Sequence, residues 1–231
     1  MLIREFEDLP DRMKTPAVRI YYDMLAEKRK TLILKRIFDM VVSSLLIVIL
    51  LPVMTAVAVW IKIDSKGPVF YRQRRMTKDL REFKIIKFRT MRHDAGSSGL
   101  SVTVLGDERI TKAGRKLRKS RMDELPQIFN VLLGGMSFAG TRPEVKKYVD
   151  GYTDEMFATL LLPAGITSKA SVLFRDEERL LGDSHDPETV YVKEILPQKM
   201  VYNLEYLRDF RFSEDIKILF RTLFPGFDKR G

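Results

Sequence analysis

The 231-residue chain has no cysteine, two histidines and one tryptophan. Without thiols there is no disulfide, no thiol nucleophile and no Cys-type zinc or iron–sulfur centre. His93 and His185 are too few for a His-rich metal site. Any catalytic metal must therefore be held mostly through oxygen, which points to Mg2+ or Mn2+. Internal repeats and low-complexity tracts are missing too, and the nearest thing to a flexible loop is the glycine-serine stretch 95–100. Acidic residues are in relatively short supply. The balance of 41 Lys and Arg against 31 Asp and Glu leaves a net charge of +10, which suits an anionic partner: a phosphate-bearing substrate, a lipid headgroup or nucleic acid. Zinc fingers and ribonucleoprotein aromatic motifs are not found, so nucleic acid is set aside as a partner.

Charge is wholly absent from one stretch. From Met40 to Ile61, 22 positions, no side chain is ionised, and about 20 residues suffice for a helix to cross a bilayer. Pro52 lies near its middle. Lys35 and Arg36 precede the run, and Lys62, Lys66, Arg72, Arg74 and Arg75 follow it. Basic flanks favour the cytoplasmic side. A plain span would place one flank outside, whereas a helix kinked at Pro52 that enters and leaves the same leaflet keeps both inside. Proline removes a backbone donor and clashes with the preceding turn, so it is the natural kink point. The reading is thus a re-entrant membrane hairpin, with a plain span and a buried core helix as its competitors. A signal peptide is disfavoured by the distance from Met1 and by the lack of a cleavage site after Trp60. Three parts follow: an N-terminal extension (1–32), a re-entrant helix (33–66) and a cytoplasmic catalytic domain (67–231).

The rest reads as helix-rich α+β. Residues 1–14 look polar and loosely ordered. Thr15-Pro16 reads as a helix cap followed by a first-turn proline, and Val18, Tyr21, Tyr22 and Leu25 mark one face of a short helix. Segments 69–72 and 82–90 read as the two strands of a small β-hairpin. A basic helix over 112–121 and an apolar helix ending at Gly134-Gly135 come next. Segment 144–162 is amphipathic and is expected to lie in the membrane interface. Two helices, about 197–208 and 213–223, close the chain.

Asp123-Glu124 is the pair with chemical promise. Ser120 stands three residues earlier, near capping-box spacing, and Pro126 is tolerated only near a helix start. Both carboxylates are therefore expected at a helix N-terminus, where partial positive charge favours anions. An acidic first turn on a basic surface would also explain them. A carboxylate attacks phosphorus only when the repulsion between anions is screened by cations or a divalent ion. Arg118, Arg121, Lys84, Lys87 and Arg89 are the candidates for that screening.

Five blocks then matter together: Lys35–Asp39; Gly67-Pro68-Val69-Phe70; the Lys87-Phe-Arg89-Thr-Met91 strand end; Asp123-Glu124-Leu-Pro-Gln127-Ile-Phe-Asn130; and Met136–Pro143. In order and spacing they resemble the bacterial sugar transferase family of monotopic polyprenol-phosphate phosphoglycosyl transferases, over about residues 33–225. The resemblance implies a helix broken at proline on the cytoplasmic face of the bacterial inner membrane. It implies transfer of a phosphosugar from a UDP-sugar to a polyprenol phosphate such as undecaprenyl phosphate, with release of UMP. It implies Mg2+ (or Mn2+), held by Asp123 and Glu124. In this family pattern Asp123 is the nucleophile that carries a covalent phosphosugar, and Glu124 assists at the metal. Lys87, Arg118 and Arg142 hold phosphates, with Arg89 and Arg175 added from the basic strand end and the 175–179 charge cluster. Asp39 is structural, paired with Arg36. The chain departs from the family pattern at Leu51, Gly135, Thr141 and Ala164. The sugar and the oligomeric state stay open, a homodimer being the alternative to a monomer.

Overall fold

The computed structural model describes residues 3–92, 107–174, 177, 181 and 186–224. Helix α1 (Pro16–Ala26) begins as the sequence indicates. Thr15 accepts the Val18 N–H at 3.3 Å, and Pro16 occupies the first turn, where its missing donor costs nothing. Its expected face, Val18, Tyr21, Tyr22 and Leu25, is buried. The residues before it are better ordered than their polarity suggests. Two 3-10 turns, Phe6–Asp8 and Asp11–Met13, deliver Ile3, Leu9 and Met13 into the largest hydrophobic cluster. These three apolar residues follow neither helical nor strand periodicity, so pattern reading passes over them.

Helix α2 (Arg29–Asp64) has 36 residues and runs through Pro52; at helical rise it is about 54 Å long. Among the described residues it is the one helix long and apolar enough to cross a membrane. The long helix is thus present, while a hairpin or kink at Pro52 is not confirmed. Both halves of α2 are fastened to the same body of protein. In the first half, Lys35 donates to Asp215 at 2.6 Å and to the Ala139 carbonyl at 2.8 Å, and Asp39 accepts the Phe138 N–H at 3.2 Å. In the second half, Met54, Val57 and Ile61 pack with Phe88 and Leu117. Leu50 touches the clusters on both sides. The opposite face, including Ile37, Val41, Leu45, Val48 and Ile49, is exposed.

Strands β1 (Phe70–Thr77) and β2 (Arg81–Phe88) form an antiparallel hairpin with Phe70 opposite Phe88 and Thr77 opposite Arg81. In its turn Asp79 and Leu80 take left-handed backbone angles, and Arg4 pairs with Asp79 at 3.2 Å. Helices α3 (Lys112–Lys119) and α4 (Gln127–Leu132) follow. A second sheet was not foreseen: β3 (Met136–Ala139) pairs in parallel with β4 (Ala164–Thr167). Strands of four residues with no polar alternation leave no period to read. Backbones cross tightly there, since a Cβ on Gly165 would lie 2.3 Å from the Gly140 backbone. Two of the family departures sit in this region. The Thr141 carbonyl accepts the Gly165 N–H at 2.8 Å, and the Ala164 N–H donates to Thr77 Oγ1 at 3.1 Å.

Segment 144–162 corrects an expectation. It contains α5 (Lys146–Val149) and a 3-10 turn (Met156–Leu160), and Tyr148, Val149, Phe157, Leu160, Leu161 and Leu162 lie in the main core. Amphipathic spacing reports an apolar face without saying whether protein or lipid covers it. The chain continues through α6 (Lys169–Leu173), α7 (Pro187–Val190), a π-helical turn (Tyr191–Ile195), α8 (Leu196–Arg208) and α9 (Phe212–Leu223). Helix α9 docks on α2, with the Phe212 ring 5.2 Å from that of Phe38. It leaves Ile216, Phe220 and Leu223 exposed, and Phe224 just beyond it is exposed too.

Candidate active site

The site forms where the end of β2, the link from α3 to α4 and the segment after β3 meet. Alternation along β2 puts Phe83, Ile85 and Lys87 on one face. Phe83 and Ile85 pack in the cluster that contains Ile128 and Val131 of α4, so Lys87 is carried toward the start of that helix. Asn130 fixes the approach. Its side chain accepts the Ile86 N–H at 2.9 Å and donates to the Lys84 carbonyl at 2.8 Å. On the other side Gly114 of α3 lies against the end of β2, where a Cβ would fall 2.0 Å from the Thr90 carbonyl oxygen.

Asp123 and Glu124 belong to a 3-10 turn, Met122–Glu124, placed just before α4. Ser120 is not its cap; it ends α3 and donates back to the Lys116 carbonyl at 3.0 Å. Arg121 makes the corner in the left-handed region, φ 55°, a conformation uncommon for a side chain of this type. Pro126 caps α4 from outside its first turn.

The two carboxylates are treated very differently. Lys87 Nζ donates to Glu124 Oε1 at 2.7 Å, and Arg142 donates to Oε1 and, at 3.3 Å, to Oε2. Burial alone would raise the Glu124 carboxyl, but Arg142 and Lys87 outweigh it and hold Glu124 well below the usual carboxylate range. In return, Glu124 raises the Arg142 guanidinium. Burial lowers the Lys87 ammonium despite the pull of Glu124. Asp123 accepts no hydrogen bond from any described residue. Burial and the neighbouring Glu124 push its carboxyl up, and Lys87, Arg118 and Arg142 partly offset this.

Of the residues singled out by sequence, Asp123, Glu124, Lys87 and Arg142 therefore converge, and half-buried Arg118 acts on Asp123 electrostatically. Arg89 is placed elsewhere. Its guanidinium is buried against the end of α2, donating to the Ser65 carbonyl at 2.8 Å, to the Ser65 hydroxyl at 3.0 Å and to the Lys66 carbonyl. Arg175 lies outside the described residues, as does most of its charge cluster. Arg36 does not pair with Asp39; it donates to the carbonyls of Val131 at 2.7 Å and Leu132 at 2.9 Å, closing the end of α4. Asn130 and Gln127 were quoted in the motif without a role. Gln127 is fully buried, and its amide has no hydrogen-bond partner among the described residues. A polar residue inside an apolar helical run is the only sequence signal either one leaves.

Among the described residues no group of three or more His, Asp or Glu side chains could hold a metal by itself. Glu124 Oε2, with only the 3.3 Å contact from Arg142, keeps spare acceptor capacity beside unbonded Asp123. That donor set fits Mg2+, which is commonly bound through one or two carboxylates together with substrate phosphates and water.

The family model described as bacterial sugar transferase matches residues 30–229. The chain is 33% identical over 215 residues to the UDP-glucose:undecaprenyl-phosphate glucose-1-phosphate transferase of Escherichia coli K12, covering 92% of this chain and 44% of that protein. It is 35% identical over 204 residues to the UDP-N-acetylgalactosamine-undecaprenyl-phosphate N-acetylgalactosaminephosphotransferase of Aeromonas hydrophila, covering 85% and 45%. It is 34% identical over 192 residues to the UDP-glucose:undecaprenyl-phosphate glucose-1-phosphate transferase of Caulobacter vibrioides, covering 82% and 68%. The chain spans less than half the length of the first two of these relatives.

Proposed function

Because the chain belongs to the bacterial sugar transferase family, we propose that it moves a phosphosugar from a UDP-sugar to a polyprenol phosphate, undecaprenyl phosphate being the acceptor in its relatives' names. The products are UMP and a polyprenyl-diphosphate-sugar, the first membrane-bound intermediate of polysaccharide assembly. One observation carries the reading: of two adjacent carboxylates, Glu124 is bound by both Lys87 and Arg142 while Asp123 accepts no hydrogen bond from any described residue.

An Asp123 oxygen bonds to the phosphorus that bears the sugar. The bond from that phosphorus to the bridging oxygen breaks, and its electron pair leaves with UMP. An oxygen of the lipid phosphate then attacks the same phosphorus and releases the Asp123 carboxylate. Weak solvation and the raised proton affinity of Asp123 make it a better nucleophile once ionised. Arg118, Arg142 and Lys87 screen the approach of one anion to another. Glu124 holds Lys87 and Arg142 in place. Mg2+ bound by Glu124 and Asp123 with the donor diphosphate would add charge neutralisation. Arg89 has a positioning role here, through the end of α2.

The reaction belongs on the cytoplasmic face of the inner membrane. Residues 32 to 61 of α2 contact one body of protein along its length, which supports a helix lying in one leaflet over one that crosses it. Exposed apolar residues on α2 and α9 are the surfaces offered to lipid. A re-entrant path bent at Pro52 remains part of this proposal. The test is UMP release from a panel of UDP-sugars by the solubilised protein with Mg2+ and undecaprenyl phosphate, together with intact-mass analysis after exposure to donor alone. Lipid-dependent release and a phosphosugar adduct mapped to Asp123 are expected. Release with no adduct, and with unchanged rate in Asp123→Asn, would overturn the covalent mechanism.

A further inference from the structure

A cavity of about 410 Å³ lies where α2 ends and α3 begins, lined by charged residues with no part in the reaction above. Two cations reach it, Arg92 and Lys112, and among the described residues neither side chain has a hydrogen-bond or ion-pair partner. One anion faces them, Asp64, whose Oδ2 accepts the Ala113 N–H at 3.2 Å and whose other oxygen has no hydrogen-bond partner among the described residues. The neutral polar groups of the wall are already engaged. Thr111 Oγ1 accepts the Gly114 N–H at 2.9 Å, and Ser65 Oγ accepts from Arg89 at 3.0 Å. The remaining wall is Trp60 and Ile63, which are 37% and 80% exposed at the end of the apolar helix.

Unpaired cations beside an indole at the end of an apolar helix fit a phosphate carried at a membrane surface. The facing carboxylate adds a selection rule. A purely anionic headgroup would set a negative charge against Asp64, whereas a headgroup with both a phosphodiester and a primary ammonium answers charges of both signs. We infer that this cavity is a phospholipid headgroup site for an aminoethyl phosphodiester, with phosphate on Arg92 and Lys112, ammonium on Asp64, and the glycerol end against Trp60 and Ile63. The inference rests on the one-leaflet placement of α2 proposed above, and it concerns a bystander lipid, not a substrate.

The test is native mass spectrometry of the full chain released from nanodiscs that mix phosphatidylethanolamine, phosphatidylcholine and phosphatidylglycerol in equal parts, with inorganic phosphate as a competitor. Wild type is expected to retain phosphatidylethanolamine over phosphatidylglycerol by about tenfold, the factor a single charge-assisted contact supplies, with no displacement by millimolar phosphate. Asp64→Asn keeps the oxygen that accepts the Ala113 N–H, so α3 stays capped, and it should erase that preference. Arg92→Gln with Lys112→Gln should lose lipid retention while UMP release persists. Equal retention of all three lipids, or the same preference in Asp64→Asn, would overturn the assignment. Displacement by inorganic phosphate alone would make it a free-phosphate site and overturn the lipid assignment. A protein that retains lipid but shows no transfer would refute the transferase reading and leave this one standing.

Discussion

Two regions of the molecule place a pair of acidic side chains near buried cations, and only one of them is a plausible reaction centre. Each Asp215 oxygen has a donor: Lys35 donates to Oδ2 at 2.6 Å and Tyr206 to Oδ1 at 2.6 Å, and Asp39 lies nearby with one oxygen on the Phe138 N–H and the other buried without a partner among the described residues, all three aspartate and lysine side chains being almost fully buried. Around Asp123 two cations, Lys87 and Arg142, have been drawn to the neighbour, Glu124, and the half-buried carboxylate itself accepts no hydrogen bond from a described residue. Charge density is similar; acceptor capacity and access are not. A satisfied buried ion pair holds elements together, here α9 onto α2. An unsatisfied carboxylate beside satisfied cations is held ready for an incoming electrophile.

Substitutions at matched positions would break or sharpen that contrast. The largest effect should come from Asp123→Asn, which is expected to lower UMP release by about 10⁴-fold or more, as loss of a nucleophile does. Its melting temperature should not fall. The folded-state pKa of Asp123 is raised, so the ionised form opposes folding as pH rises past the unfolded value, and removing that charge at neutral pH stabilises the fold. Asp215→Ala should reverse the pattern. Stability measured by denaturant should drop by about 3–5 kcal/mol, because Lys35 is left buried and uncompensated, while activity per folded molecule stays within a few-fold of wild type. A melting temperature that falls for Asp123→Asn and holds for Asp215→Ala would remove the distinction altogether.

Glu124→Gln should sit between these extremes. It strands Lys87 and Arg142, with an expected cost of about 2 kcal/mol for a pair that is partly exposed. It should also lower transfer by about 10²-fold, in line with loss of one electrostatic support. The smallest effect is a shift in pH dependence. Ionised Asp123 is the active form, so kcat/KM should fall on acidification through a pKa above the ordinary aspartate value. Arg118 lowers that pKa, and Arg118→Met should therefore move the acid limb to higher pH. A limb that moves to lower pH in Arg118→Met would show that another group controls it.

The legible parts of the chain were those with a period or a cap. Thr15-Pro16, the β-hairpin and the final two helices are read from local chemistry, and the long apolar helix from its lack of charge. Asp123, Glu124, Lys87 and Arg142 were legible as a motif, yet nothing in the sequence says that Glu124 would take both cations. That division depends on strand alternation at Lys87 and on the backbone path after β3. Arg89 shows the converse: a basic residue in a motif block can be absorbed by the carbonyls at the end of a distant helix. Segment 144–162 failed because burial against protein and burial against lipid need the same residues.

The double attachment of α2 makes the helix a ruler. Lys35 and Asp39 set one mark and Met54, Val57 and Ile61 the other, so the number of residues between them is matched to the distance between two docking surfaces on the protein. Inserting one residue after Ser43 would turn the second mark by about 100° away from Phe88 and Leu117, whereas seven residues, close to two full turns, would restore the face but carry it about 10 Å along the helix from those partners. Length along this helix is thus measured by the protein itself, in residues that lie apart from Asp123 and Glu124.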